Sequence, residues 1–174
     1  MKIAVNLTEE VFRRFTIFDT LKRRKAWKPP VTFALIMGVS AAICYWKQDV
    51  DGAVLLGNVL LTIGLGMPVV YFTTFFMSLR KEVLKHGLSR PQLVYTFELT
   101  QKNDGGIAIS NDKEQAAYHW RQVYHAYRDT IATYLYMTPD RGFILPHTCI
   151  EEGPDELWKL IEKKVPEKRR TILK

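Results

Sequence analysis

The chain has 174 residues and a formal net charge of +7, with 47% hydrophobic and 25% charged side chains. Two long apolar stretches leave about 85 residues after them, enough for one small core and no more. The positive balance would suit nucleic acid, but much of it flanks the apolar stretches, which excludes nucleic acid as the expected partner and favours anionic lipid headgroups.

Taken in order, Met1 to Asn6 reads as a short strand, MKIAVN. Thr8 follows as a helix N-cap, with Glu9 and Glu10 in the first turn, where the positive end of the helix dipole favours acids. Scattered charge and the lack of an early apolar core predict no cleavable signal peptide. In VFRRFTIFDTLKRRKAW, Phe12, Phe15, Phe18 or Ile17, and Leu21 share one side, and Arg13, Arg14, Lys22, Arg23, Arg24 and Lys25 surround it. This is a basic amphipathic helix ahead of an apolar stretch. Two placements fit it: flat on the inner leaflet, with those six bases as membrane-surface residues, or packed on the polar domain.

The first apolar arm, Val31 to Trp46, carries no charge. Its helix reaches about 24 Å, and more if Pro29 and Pro30 form its first turn, where a missing N–H costs little. KQDVDG, Lys47 to Gly52, then turns into a second uncharged arm, Ala53 to Leu79, about 40 Å long as helix. Both suit a hydrocarbon core roughly 30 Å thick, as spans over about 29–46 and 53–77. A soluble hairpin would have to cover every face of both helices, and the polar flanks are too few for that.

The short connection makes the arms antiparallel neighbours. Ala34, Gly38 and Ala42 form a small-residue stripe expected to pack against Gly57 and Gly64. An inter-helix hydrogen bond would account for Asn58 and Thr62, and Pro68 with Gly64 and Gly66 should bend the second arm. Basic residues crowd both outer flanks and not the connecting loop, so both termini are expected in the cytoplasm, with Trp27 at the inner interface and Tyr45 and Trp46 at the outer one. Cys44 in the first arm and Cys149 in the polar region are not expected to pair.

The second helix should continue through SLRKEVLK and stop near His86, with Gly87 as C-cap, before the linker GLSRPQ, where Pro91 disfavours helix at Arg90. From Gln92 the period changes to two. LVYTFELT carries Leu93, Tyr95, Phe97 and Leu99 on one face; IAIS, QAAYHW, VYHAYRD, TIATYLYM and FILP follow, separated by turns such as KNDGG, NDKE and TPDRG. Six short strands joined by tight turns predict an antiparallel meander. DELWKLIEKK is a last amphipathic helix, opened by Gly153 and Pro154, stopped by Pro166, and burying Leu157, Trp158, Leu160 and Ile161. The tail VPEKRRTILK is basic through Lys168, Arg169, Arg170 and Lys174 and reads either as a solvated end or as a contact for lipid or a partner.

An antiparallel meander closed by one C-terminal helix is the pleckstrin-homology-like (PH-like) order. With the NLTEEVFRRF segment, the hairpin, HWRQV, YLYMTPDRGFILPHTCI and DELWKLIEKKVP in this sequence, the chain resembles the YcxB-like family of bacterial membrane proteins over nearly its whole length. His147 stands after Ile144, Leu145 and Pro146, where the family pattern would put a lysine or arginine. The resemblance implies a membrane-tethered PH-like cytoplasmic domain in a multi-pass protein of the bacterial cell membrane.

Chemistry is sparse. The acids four residues from His86, His125 and His147 are Glu82, Asp129 and Glu151; one histidine and one acid do not make a metal site. Glu151 and Glu152 adjoin Gly153 in an exposed loop and read as solvated surface. The first hairpin of the meander offers only Lys102 beside Asp104, too little for phosphoinositide binding of the PH-domain kind. No nucleophile, phosphate-loop or dinucleotide motif is present. The expected fold is an α+β membrane protein: an N-terminal segment over 1–28, a hairpin over 29–79, a helix extension and linker over 80–91, a PH-like domain over 92–166 and a basic tail over 167–174. The expected function is a non-enzymatic, membrane-anchored interaction module without cofactor or metal, its partners the bilayer, an unidentified protein and a second copy of itself. Inner-leaflet lipid or envelope-stress sensing is one alternative, and an accessory subunit of a membrane enzyme or transporter is another.

Overall fold

The computed structural model describes residues 1–85, 87, 92–99, 106–111 and 115–173. His86, and with it the pairing to Glu82, Leu88 to Pro91 of the linker, the expected turn residues Lys102, Asp104 and Asp112 to Glu114, and Lys174 lie outside the described residues. The chain divides into two units, Met1–Phe15 with Val83–Lys174, and Thr16–Glu82.

The second unit is built on helices. α1, Glu9–Ile17, begins in the first unit and passes into a π-helical turn, Phe18–Arg23, which the periodicity did not predict. Its widened bonding shows in the Arg24 N–H donating to the Asp19 carbonyl at 2.9 Å. α2, Lys28–Trp46, has both prolines in its first turn, which extends it to about 28 Å. α3, Ala53–Lys85, runs unbroken through Pro68. Both helices are long and apolar enough to cross a membrane.

The two pack through α3 glycines, as expected, but of the expected α2 stripe Ala34 faces them and Gly38 and Ala42 do not. A Cβ on Gly57 would meet the Tyr45 ring at 3.3 Å and the Ala41 carbonyl at 3.4 Å; one on Gly64 would lie 2.7 Å from Met37 Cβ. Ala41 is buried, whereas Ala42 is exposed and Gly38 has open space beside it. The facing stripe is therefore Ala34, Met37, Ala41 and Tyr45, at helical spacing, and it uses α3 glycines to admit larger α2 side chains. Asn58 makes the predicted bond between helices, its Oδ1 accepting from Tyr45 Oη at 2.6 Å. Thr62 does not cross; its hydroxyl donates back to the Asn58 carbonyl.

The first unit is a β domain, with eight strands among the described residues. β1, Lys2–Leu7, lies before the helices in sequence, yet pairs antiparallel with β2, Gln92–Leu99, beyond them. β3, Gly106–Ser110, and β4, Gln115–His119, continue that sheet in the order β1-β2-β3-β4. The other sheet joins β5, His125–Arg128, β6, Ala132–Tyr136, and β7, Gly142–Pro146, antiparallel. Its far edge is β8, Arg170–Ile172, parallel to β5. The six predicted strands are all present, split between two sheets, and the basic tail contributes a strand. α4, Pro154–Lys164, buries the four predicted side chains.

β1 alternates strictly, with Ile3, Val5 and Leu7 buried. β2 departs from its predicted alternation. The register slips between Val5 and Asn6, so Tyr95 faces Val5 but Leu93 faces Asn6, and Val94 is the extra residue of a bulge. One added residue reverses the facing of what precedes it: Phe97 and Leu99 are buried, whereas Leu93 is 61% exposed. The sheets meet through aromatic rings, with Phe143 of β7 at 5.7 Å from Tyr95 and 5.5 Å from Phe97. Tyr95 Oη also donates to the Ile144 carbonyl and accepts from the Ile144 N–H, both at 2.7 Å, and burial raises its pKa far above the ordinary phenol. Every residue of β6 is buried. One covering layer is α1, whose Phe15 packs edge-on against Tyr134 at 5.2 Å and along Tyr136 at 6.1 Å. The start of the amphipathic helix thus packs on the β domain, the second of its two expected placements.

Candidate membrane-surface site

The six bases expected at the membrane surface divide by what they touch. Arg13 is exposed. Arg14 is held by the β domain, donating to Thr130 Oγ1 at 3.0 Å and lying 3.9 Å from Glu10. Arg23 and Arg24 both turn back onto Asp19, one on each carboxylate oxygen. The π-helical turn makes this possible, since Asp19, Arg23 and Arg24 ring one widened loop of backbone. Arg23 is largely sheltered there, its side chain 14% exposed, which suits charge-assisted bonding better than it suits a solvent-facing role.

Lys22 and Lys25 behave differently. Together with Leu21, Trp27 and Lys28 they line an open depression of about 480 Å³. Lys25 takes the left-handed backbone conformation, φ 54°, which turns the chain out of the π-helical turn and towards α2. The depression is therefore set by local structure: Leu21 and Lys22 come from the turn, Lys25 from the reversal, Trp27 and Lys28 from the N-cap and first residue of α2. Its lining combines three lysines with the apolar side chains of Leu21 and Trp27. Among the described residues, Lys22, Lys25 and Lys28 form no ion pair. Lys28 went unnoticed as a member of this set because sequence order counts it as flank; its spacing of three from Lys25, and of three again to Lys22, is the signal that could have found it. Trp27, Tyr45 and Trp46, expected at the two interfaces, are all exposed, and Trp46 is the most so at 85%.

A second polar cluster lies in the β domain. Asp129 accepts from Tyr134 Oη at 2.9 Å and from the Thr130 N–H at 2.7 Å. His147 shares its Nε2 with Thr133 Oγ1 and its Nδ1 with the Thr130 carbonyl, each at 3.2 Å. Burial lowers the pKa of His147, as it does that of His125, which meets Thr171 Oγ1 and stacks on Tyr127. Burial and the bond to Asp129 raise that of Tyr134. Arg128 pairs with Asp155 and lies 5.9 Å over Trp158, holding the Asp155 carboxyl below its usual range. These contacts tie β5, β6, the end of β7 and the start of α4 together. Among the described residues, no three His, Cys, Asp or Glu side chains converge as metal ligands would.

The fold and this site describe an α+β chain with a long apolar hairpin and a basic collar at its start. Residues 103–161, from just ahead of β3 into α4, match the family described as YcxB-like protein, which is the family the sequence resembles. Neither the curated proteins nor the solved structures contain a match to the chain.

Proposed function

We propose that this chain is a membrane-anchored cytoplasmic interaction module without catalytic activity of its own. The observation that carries the reading is the hairpin. Apolar side chains stand out along both helices, among them Leu35 at 65% exposure and Leu55 at 72%, a surface suited to lipid and unsuited to water. The hairpin is also inserted between two strands that pair, β1 before it and β2 after it. Two crossings return the chain to the side it left, so strand pairing and the basic flanks support the same topology, with the β domain in the cytoplasm of a bacterial cell.

An antiparallel sheet, a second sheet whose first three strands are antiparallel, and a following helix have the order of a PH-like domain, a scaffold that commonly presents surfaces to partners. The titratable groups of its second polar cluster support a structural role. Asp129, Tyr134 and both ring nitrogens of His147 bond to one another's elements, which suits a brace between strands.

The test is extraction and labelling in intact cells. The protein is expected to stay in the membrane pellet at alkaline pH. With Cys44 and Cys149 replaced, Val50→Cys in the helix connection is expected to react with an impermeant thiol reagent, and Ala117→Cys on β4 only after lysis. Release into the alkaline supernatant, or labelling of Ala117→Cys from outside, would overturn the reading.

A further inference from the structure

We infer that the depression lined by Leu21, Lys22, Lys25, Trp27 and Lys28 binds the phosphodiester headgroup of an anionic phospholipid from the inner leaflet. The inference rests on the hairpin lying in the membrane and adds a ligand to it. Three observations carry it. The first is charge without compensation. Asp19 is the one acid between Glu10 and Asp49, and Arg23 and Arg24 occupy it. The three lysines are exposed, with no carboxylate among the residues lining the depression, and a phosphate oxygen supplies the missing counter-charge.

The second is selectivity between lipids. A zwitterionic headgroup brings an ammonium of its own, which needs an acid or an aromatic cage. The depression provides three cations and a single tryptophan, so choline or ethanolamine would be repelled where a glycerol headgroup would not. The third is the wall. Leu21 and Trp27 give the site an apolar side, and Lys28 opens α2, whose apolar side chains begin directly after it. A lipid can satisfy both parts, with its phosphate on the lysines and its glycerol and upper acyl carbons along Trp27. A free phosphate uses only the first. The α2 N-terminus adds little to anion binding, because Pro29 and Pro30 have no N–H to donate.

The experiment uses the full chain, delipidated in a neutral detergent, with bound molecules counted by native mass spectrometry. The probes are dihexanoyl phosphatidylglycerol, dihexanoyl phosphatidylcholine and glycerol 3-phosphate. Phosphatidylglycerol is expected to bind about tenfold or more tightly than phosphatidylcholine, and more weakly at high salt. Combined Lys22→Gln, Lys25→Gln and Lys28→Gln should remove that preference, while Lys163→Gln on α4 should leave it intact. Equal binding of the two lipids would overturn the inference, as would a preference that survives the triple substitution. Glycerol 3-phosphate binding as tightly as phosphatidylglycerol would overturn the assignment to lipid. The wild-type comparison stands even where the triple variant folds poorly. Alkaline extraction separates this inference from the anchoring on which it rests: a chain that stays in the membrane but does not discriminate between lipids loses only the headgroup site.

Discussion

Tyr95 shows how much one side chain can hold. Its hydroxyl both gives to and takes from the backbone of Ile144, on a strand of the opposite sheet, and its ring packs on Phe143. Removing the oxygen leaves an N–H and a carbonyl of β7 without that partner. Tyr95→Phe is therefore expected to destabilise the β domain by about 1–3 kcal/mol, read as a lower thermal midpoint of the full chain in detergent. An unchanged midpoint would mean that water or a shifted backbone replaces the bond. At this scale the sequence was partly legible. Alternation identified Phe97 and Leu99 as core and Tyr95 as their neighbour, but it put Leu93 with them. The bulge that reverses Leu93 arises from pairing with β1, a partner far away in the chain, and no local pattern reports it.

At the scale of elements, the hairpin was legible in outline and not in contact. Uncharged length and a short connection were enough to identify two antiparallel helices. Which face they share depends on rotation about each axis, and small residues alone did not decide it: Gly38 looks outward, while Met37 and Tyr45 look inward over glycines. Gly64 carries the tightest approach. Gly64→Val places carbon against Met37, and overpacking of this kind is expected to cost about 1–3 kcal/mol of hairpin stability, measured as a lower melting midpoint in detergent. Gly66→Ala, which has open space for a Cβ, is expected to leave the midpoint unchanged. The π-helical turn was not legible either. Its sequence, FDTLKR, has ordinary helical periodicity, and the change in bonding shows only in where Asp19 sends its carbonyl.

For the whole molecule, the six strands of the C-terminal half were legible because each is short, alternating and bounded by turn residues. The strands at the two ends of the chain were not assigned to a sheet. β1 reads as a strand by itself but finds its partner about 85 residues on, and β8 pairs parallel to β5 after an intervening helix. The β domain is consequently not a contiguous piece of sequence. A chain of residues 92–174 lacks Ile3, Val5 and Leu7 from its core and leaves β2 an open edge. It is expected to give no cooperative thermal transition by circular dichroism, whereas residues 1–15 joined to 83–174 by a flexible linker should give one. Cooperative melting of 92–174 alone would show that β1 is dispensable.

The discontinuity of that sheet has a consequence for how the protein is made. β1 leaves the ribosome ahead of the hairpin, with three core side chains and nothing to pair with, and β2 follows only after the whole hairpin has been synthesised. At translation speeds of about 5–20 residues per second the wait lasts several seconds. In the proposed topology, a hairpin that enters with only one helix across strands β1 and β2 on opposite sides of the bilayer, and the sheet cannot close. Completion of the β domain is then a built-in proofreading step for insertion. In that topology the chain is expected to resist cytoplasmic proteases only after both crossings have been made, which pulse-chase proteolysis would read.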